Sequence, residues 1–395
     1  MLSEKYLDGL YKKLDGMESE LTDMSRKIWE NPEIGNEEHM ACDLLATKLE
    51  QAGFAVERKA AKMDTAFYAS KKASKPGPKV AFVAEYDALP EIGHACGHNL
   101  FSCAAVGAGI AIGEIIEELG GEIVVMGSPA EEGVVDHFGG KIYLINEGYF
   151  DGVDACFTFH SEEETVIERS LVTAINIQAE FTGLAVHAGG SPEKGINALT
   201  AGMLTLNNVN AMRQHHYPGD VINGIINDGG IVANTIPDYC KVSFSVRAKS
   251  RANLQRMIAT LNRCVEAAAL VTGCEYKIHI PEVNYDDTVS NHQLGLALAE
   301  VLDKMGVPYK QADSRNYAWD AGNISYVCPT LASYIKMGPM GIVCHTEEFK
   351  QAANSPEGYK GMMIGAKGMA ATAAEFYVNE DLRKRVRHEF ETAQR

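Results

Sequence analysis

Apolar residues recur at helical spacing through about residues 5–30 and again through about 36–53, so the chain is expected to open with two amphipathic helices. Beyond them, short apolar runs alternate with longer helical stretches. Residues 79–84 (KVAFVA) read as a strand buried on both faces. Residues 99–119 (NLFSCAAVGAGIAIGEIIEEL) predict a long helix with Asn99 as its N-cap. Residues 122–127 (EIVVMG) and 155–159 (ACFTF) predict further strands. This alternation implies an α/β fold, with a mostly parallel central sheet and helices on both faces.

The pattern changes between about 171 and 281. Residues 171–182 alternate as a long strand, 195–216 follow as a helix, 221–227 and 239–247 as strands, 250–272 as a helix and 275–280 as a strand. The order βαββαβ is the ferredoxin-like arrangement of a complete small domain. The expected organisation is a larger domain built from 1–170 and 282–395, interrupted by an inserted domain at 171–281. The larger domain resumes with a helix at 291–305, a strand at 330–336 and an Ala/Met-rich helix at 358–377.

Composition narrows the partners. The 395 residues carry 36 Lys+Arg against 53 Asp+Glu, a net charge of -17, which disfavours nucleic acid as a partner. No run of eighteen apolar residues stands out, so no membrane span is expected. The mixed-charge start MLSEKYLDGLYKKLDGM lacks the apolar core of a signal peptide. Nine scattered cysteines read as thiols of a reduced, cytoplasmic protein. Cys156, Cys240, Cys264 and Cys328 lie in apolar runs and are expected to be small core residues. The GAG at 107–109 has no phosphate-loop spacing and is read as helix packing.

The densest chemistry lies in residues 85–99, EYDALPEIGHACGHN. His94, Cys96 and His98 fall within five residues, with Glu85 and Asp87 just upstream. A thiolate and imidazoles suit zinc best among common metals. Glu85 and Asp87 follow the strand at 79–84, the pair Glu131–Glu132 in SPAEEG follows the strand at 122–127, and His160 follows the strand at 155–159. Open parallel sheets bind ligands outside the carboxyl ends of their strands, so three strands are expected to deliver metal-type groups to one edge. Adjacent glutamates on a regular strand diverge, but in a loop one can ligate while the other faces a water.

Read together, GHACGH, the Glu pair of PAEEG, FTGLAVHAG, GGIVANTIPD and a late His345 in VCHTEEF carry a resemblance over nearly the whole chain. In this order they resemble the zinc aminoacylase and carboxypeptidase-G-type metallopeptidases, in particular the amidohydrolase branch. Within it, EYDALPEIGHACGHN is most similar to p-aminobenzoyl-glutamate hydrolases and Xaa-Arg (β-alanyl-lysine) dipeptidases. The resemblance implies a metal-dependent hydrolase of small N-acyl amino acids, aryl-acyl glutamates or dipeptides. It implies two divalent metal ions, zinc or manganese, with Cys96 as the bridging ligand and His98, Glu132, His160 and His345 completing the set. With Glu132 as ligand, Glu131 is read as the general base that faces the water, and Asp87 as the acid that orients a ligand imidazole. Related enzymes often carry a His where Glu85 stands, so Glu85 is not taken as a ligand and His98 is expected to supply that imidazole. His94 is not used by the family. His187 and Asn234, in the inserted domain, correspond to positions that bind the oxyanion and substrate, often across a dimer. That makes a homodimer expected, and the inserted domain a lid and dimerisation unit. Arg247 offers a fork for a substrate carboxylate, with a plain salt bridge as the equal alternative.

Two other readings compete. A non-catalytic or regulatory homologue could bind a small amide, although a pure binder needs no base and Glu131 is intact. A thiol hydrolase with Cys96 as nucleophile and His98 as base would be free of metal and open to alkylation.

Overall fold

The apolar run at 79–84 lies in the middle of an eight-stranded sheet in the computed structural model, which describes residues 4–281 and 283–393. The strands are β1 (Ala55–Arg58), β2 (Phe67–Lys72), β3 (Lys79–Glu85), β4 (Glu122–Ser128), β5 (Ala155–Glu162), β6 (Val166–Ser170), β7 (Thr173–Thr182), β8 (Val221–Asp228), β9 (Tyr239–Ala248), β10 (Glu275–His279), β11 (Lys310–Ser314) and β12 (Thr330–Lys336). The chain forms two compact units. One takes the chain up to Ser170 with Thr288–Arg315 and the part from Trp319 onward; the other is Leu171–Asp287 with Asn316–Ala318. The sequence pattern placed the second unit at 171–281, and its boundary at 282 falls outside the described residues.

In the first unit the sheet order is β1-β2-β4-β3-β5-β12-β6-β11. β3 runs parallel to both β4 and β5, and β12 parallel to β5. Every residue of β5 is buried, as are all of β3 and β4 after their first residues. Burial on both faces is why these strands read as continuous apolar runs rather than alternating ones. The antiparallel pairings lie toward the two sides, β1 with β2 and β2 with β4 on one, β6 with β12 on the other. β1, β2, β6 and β11 do not stand out in the sequence. β11 (KQADS) is a polar edge strand that buries no residue fully, so it has no apolar run to announce it.

The helix His98–Leu119 lies at the centre of this unit, packed on β3 and against the helices Glu4–Glu30 and Pro356–Val378. By length and mean hydropathy it could cross a membrane, although it holds no unbroken run of eighteen apolar residues. Here it is buried inside the unit as far as Gly113, which explains why it is apolar on nearly every side up to there, with Glu114, Glu117 and Glu118 exposed in its last turns. Gly109 lets it approach the sheet: a Cβ there would meet Val125 Cγ2 at 2.3 Å. Asn99 is not the cap. The helix begins at His98 after Gly97, and the Asn99 amide instead donates to Ser25 Oγ and Ala353 O, both at 2.9 Å.

In the second unit the order is β10-β7-β9-β8, all antiparallel. β7 and β9 alternate buried and less buried residues. Their inward face packs under the helices Ala198–Met212 and Arg251–Thr272. Asn197 and Ser250 cap those helices by accepting from Thr200 N–H and Asn253 N–H. The first cap explains why the helix starts at Ala198 rather than at 195.

Candidate metal centre

Parallel register brings the polar groups to one edge. Glu85 pairs with Ser128 at the ends of β3 and β4, so Glu131 and Glu132 leave the sheet beside it. Val80 pairs with Ala155 and Phe82 with Phe157 across β3 and β5, and the same register carried on sets His160 level with Glu85. His160 lies within β5 rather than after it, because the strand continues to Glu162.

Gly97 makes the turn between Cys96 and His98. Its φ is +80, and a Cβ there would lie 2.1 Å from Ser161 Oγ, so only glycine fits. His345 comes from far along the chain, and its N–H donates to Ala95 O at 2.9 Å, pinning it to the same turn. Ala130 and His345 both have left-handed backbones, φ 56 and φ 66, a strain of about 1–3 kcal/mol each that packing must hold. At Ala130 the restraint is visible: its N–H donates to the buried Glu38 carboxylate at 2.8 Å.

The side chains converge. Cys96 Sγ lies 3.2 Å from His160 Nε2, and His345 Nε2 lies 3.2 Å from Glu132 Oε2. His98 Nε2 is 3.5 Å from Glu131 Oε2, 3.9 Å from Glu132 Oε1 and 3.8 Å from Glu85 Oε2. Asp87 bridges the parts, with Oδ1 2.9 Å from His98 Nδ1 and Oδ2 accepting from Glu132 N–H at 2.9 Å. Among the described residues, Cys96, His98 and His160 place ligand atoms within 4.8 Å of one another, as do Cys96, Glu132 and His345, and also Glu85, His98 and Glu131. The first two groups share the Cys96 sulfur. His94 belongs to none of them; it is buried, with both ring nitrogens lacking a hydrogen-bond partner.

These residues fit a metal. The backbone carbonyl of Ser161, 2.8 Å from His160 Nδ1, can only accept, so the proton is on Nδ1 and the lone pair of Nε2 faces Cys96. Likewise His98 Nδ1–H donates to Asp87 Oδ1, which leaves Nε2 turned to the carboxylates. His98 Nε2 and Glu132 Oε1 are buried without a hydrogen-bond partner, a costly state that a cation would relieve. Thiolate, imidazole and carboxylate together suit zinc or manganese.

Electrostatics tells the same story. Burial, then the His98 ring, holds His160 down to about 4, so it stays neutral. Burial alone would depress His98 too, but Asp87, Glu132 and Glu85 outweigh it and raise this imidazole well above its ordinary value. Burial, then Glu132 and Glu85, drives the Glu131 carboxyl far up. A hydrogen bond with Cys344, then burial and Glu132, raises the Cys96 thiol far above the usual range. The last point argues against a thiol hydrolase, whose nucleophile needs a lowered pKa. The imidazole at hydrogen-bond distance from Cys96 is also that of His160, not of His98.

In the second unit, His187 and Asn234 come together. Ala188 N–H donates to Asn234 O at 2.8 Å, and His187 bridges to Thr235. His187 is exposed, and Gly189 N–H donates to its Nδ1 at 3.2 Å, so a neutral ring carries its proton on Nε2. Arg247 is not brought to them. It lies at the far end of β9, roughly 26 Å along the strand from Tyr239, and its Nη1 donates to Asn316 O at 3.1 Å.

Sequence reasoning missed Lys141, Trp319, Asp320 and Glu38. Lys141 is fully buried, with Nζ 2.8 Å from Glu85 Oε1 and bonded to Asp320 Oδ1; Trp319 Nε1–H donates to Glu85 Oε1 at 3.0 Å. The one available signal was a lone Lys in the apolar run GGKIYLI.

A parallel sheet with a thiol, imidazoles and carboxylates at its carboxyl edge, together with a separate βαββαβ unit, defines the class of metal-dependent amide hydrolases. A family profile described as "Peptidase dimerisation domain" matches residues 170–272. The Xaa-Arg dipeptidase of Mus musculus is 34% identical over 396 residues, covering 96% of this chain and 90% of that protein. A p-aminobenzoyl-glutamate hydrolase polypeptide of Escherichia coli is 28% identical, covering 91% and 90%. A Bacillus subtilis structure, described as a dinuclear metal binding peptidase from the M20 family, has a similar fold. Its TM-score is 0.72 at 18% identity, over 92% of this chain and 99% of that one. The chain belongs to the M20 peptidase family.

Proposed function

We propose that this protein hydrolyses the amide bond of a small N-acyl amino acid, an aryl-acyl glutamate or a dipeptide, at a centre holding two divalent metal ions, zinc or manganese. One observation carries the reading: two ligand groups share the Cys96 sulfur, and Glu131 belongs to neither of them. Cys96, His98, Glu132, His160 and His345 would hold the metals. When bound, such a pair supplies an acidified water and a polarised scissile carbonyl.

The chain's own residues do the rest. Glu131, buried beside His98, takes the proton of the attacking water and passes it to the leaving nitrogen. Asp87 holds His98 and the Glu132 backbone in place. In this reading His187, from the second unit of a partner subunit in a homodimer, donates its Nε2–H to the developing oxyanion, with Asn234 beside it at the substrate. Arg247, whose Nη1 donates to Asn316 O, keeps both readings, a fork for a substrate carboxylate or a structural tie. The relatives' names support a small substrate. All nine cysteines are free, which supports a reducing, cytoplasmic setting.

The test is Glu131→Gln. It should retain both metals and lose turnover by about 100-fold or more. A fully metallated Glu131→Gln protein with near-normal turnover would sink the mechanism.

A further inference from the structure

Glu85 is a puzzle left by that reading. It ends β3, is fully buried, and brings a carboxylate oxygen within 3.8 Å of His98 Nε2. With His98 and Glu131 it forms a third group of ligand-type atoms. A buried carboxylate this close to a metal centre is a competing ligand unless something restrains it.

The restraint is on the other side of the residue. Lys141 Nζ lies 2.8 Å from Glu85 Oε1, and Trp319 Nε1–H donates to Oε1 at 3.0 Å and reaches Oε2 at 3.3 Å. Asp320 secures the lysine by bonding its ammonium and by accepting from its backbone N–H at 3.4 Å. Trp319 and Asp320 are neighbours, so one short segment supplies both clamps. The Trp319 ring also stands edge-on to His160, 5.3 Å between centroids. Lys141 sits just after Gly139 and Gly140, whose N–H groups close the Glu131–Glu132 loop onto Ala130 O at 2.7 Å and Pro129 O at 3.1 Å. The whole cluster is buried: Glu85, Lys141 and Asp320 at 0% exposure, Trp319 at 2%.

We propose that Lys141 is a positioning residue: with Trp319 and Asp320 it holds Glu85 outside the metal sphere, as a fixed anion next to the centre, and it anchors the base of the loop that carries Glu131 and Glu132. This rests on the two-metal reading. A buried ammonium paired with two carboxylates is costly to bury unless every partner is in place. Here it offsets negative charge at Glu85 and Asp320 without adding a ligand. It also accounts for an acid standing where related enzymes often place a histidine.

The experiment uses cobalt(II)-substituted protein, whose visible absorption weakens when a further ligand joins the metal. Lys141→Met should release Glu85 toward the centre. The visible band should weaken or shift, and turnover or metal affinity should fall about 10- to 100-fold. Adding Glu85→Gln to Lys141→Met should return the band to the wild-type form, which a merely structural defect would not do. If Lys141→Met does not fold, Lys141→Met with Asp320→Asn removes the stranded charge and carries the same test. Glu85→Gln alone should keep both metals and the wild-type band, and it decides the matter if neither lysine variant folds. An unchanged band in the lysine variants overturns the proposal. So does an altered band that persists once Glu85 is neutral, or loss of metal from Glu85→Gln. Wild-type protein that takes up fewer than two metals would fail the two-metal reading itself; two metals with an unmoved band would fail only the assignment of Lys141.

Discussion

Asp87 lies against the far nitrogen of His98, 2.9 Å from Nδ1, and so turns the near nitrogen, Nε2, toward Glu131 and Glu132. A ring nitrogen whose partner is tied to a carboxylate is a better and better-aimed ligand. Asp87→Asn should therefore weaken metal binding about 10- to 100-fold. Chelator competition on the purified variant measures this, and unchanged affinity would remove Asp87 from the centre.

Cys96 and His94 are two residues apart but differ in kind. Cys96 is shared by two ligand groups, and His94 is in none. Elemental analysis of protein purified without chelator should show more than one equivalent of zinc or manganese. Cys96→Ala should lose most of it and His94→Ala keep most of it. In the wild type, added metal should protect Cys96 from alkylation. The reverse pattern would mean that the ligand assignment is wrong.

Subunit exchange tests the trans placement of His187. His187→Ala should bind metal normally yet be nearly inactive, since an oxyanion donor is worth about 3–4 kcal/mol of barrier. Mixed with inactive Glu131→Gln, it should recover part of the activity, because one site in each heterodimer holds both groups intact. No recovery after demonstrated exchange would place His187 in cis and leave the metal chemistry standing.

Glu38 predicts a pH effect. Its carboxyl is pushed up to about 8, from an ordinary 4.5, by burial and then by Asp87, while it holds Ala130 N–H and Thr65 Oγ. A carboxyl raised on folding adds stability that is complete below its unfolded pKa and is lost as pH rises through its folded pKa. Metal-free protein should thus lose stability between about pH 4.5 and about pH 8, and Glu38→Gln should flatten that slope. Thermal melts across this range make the comparison. Parallel slopes for the two proteins would show that Glu38 is not the source.

Much was written locally. β3, β4 and β5 could be read because strands buried on both faces must be apolar throughout. The turn at Cys96–His98 could be read because metal chemistry needs particular atoms, and those residues are close in sequence. The second unit's βαββαβ order was legible in its alternating strands. Strand β11, polar and at an edge, was not. Nor was the start of the long central helix: Asn99 has a cap's chemistry, but tertiary packing claimed its amide for Ser25 and Ala353.

The sequence by itself determined the α/β class, the sheet edge that carries the chemistry and the residue types gathered there, because periodicity and residue chemistry are local properties of the chain. Tertiary structure alone decided the partners. It set Lys141 and Trp319 on Glu85, 56 and 234 residues away by number, and Glu38 on the Ala130 backbone. It sent Arg247 to the opposite end of β9 from the loop of Asn234. A lone lysine, tryptophan or glutamate carries no spacing that names its partner. Only the parallel register of β4, β3 and β5, with the chain returning to cover them, brings such residues within hydrogen-bond distance.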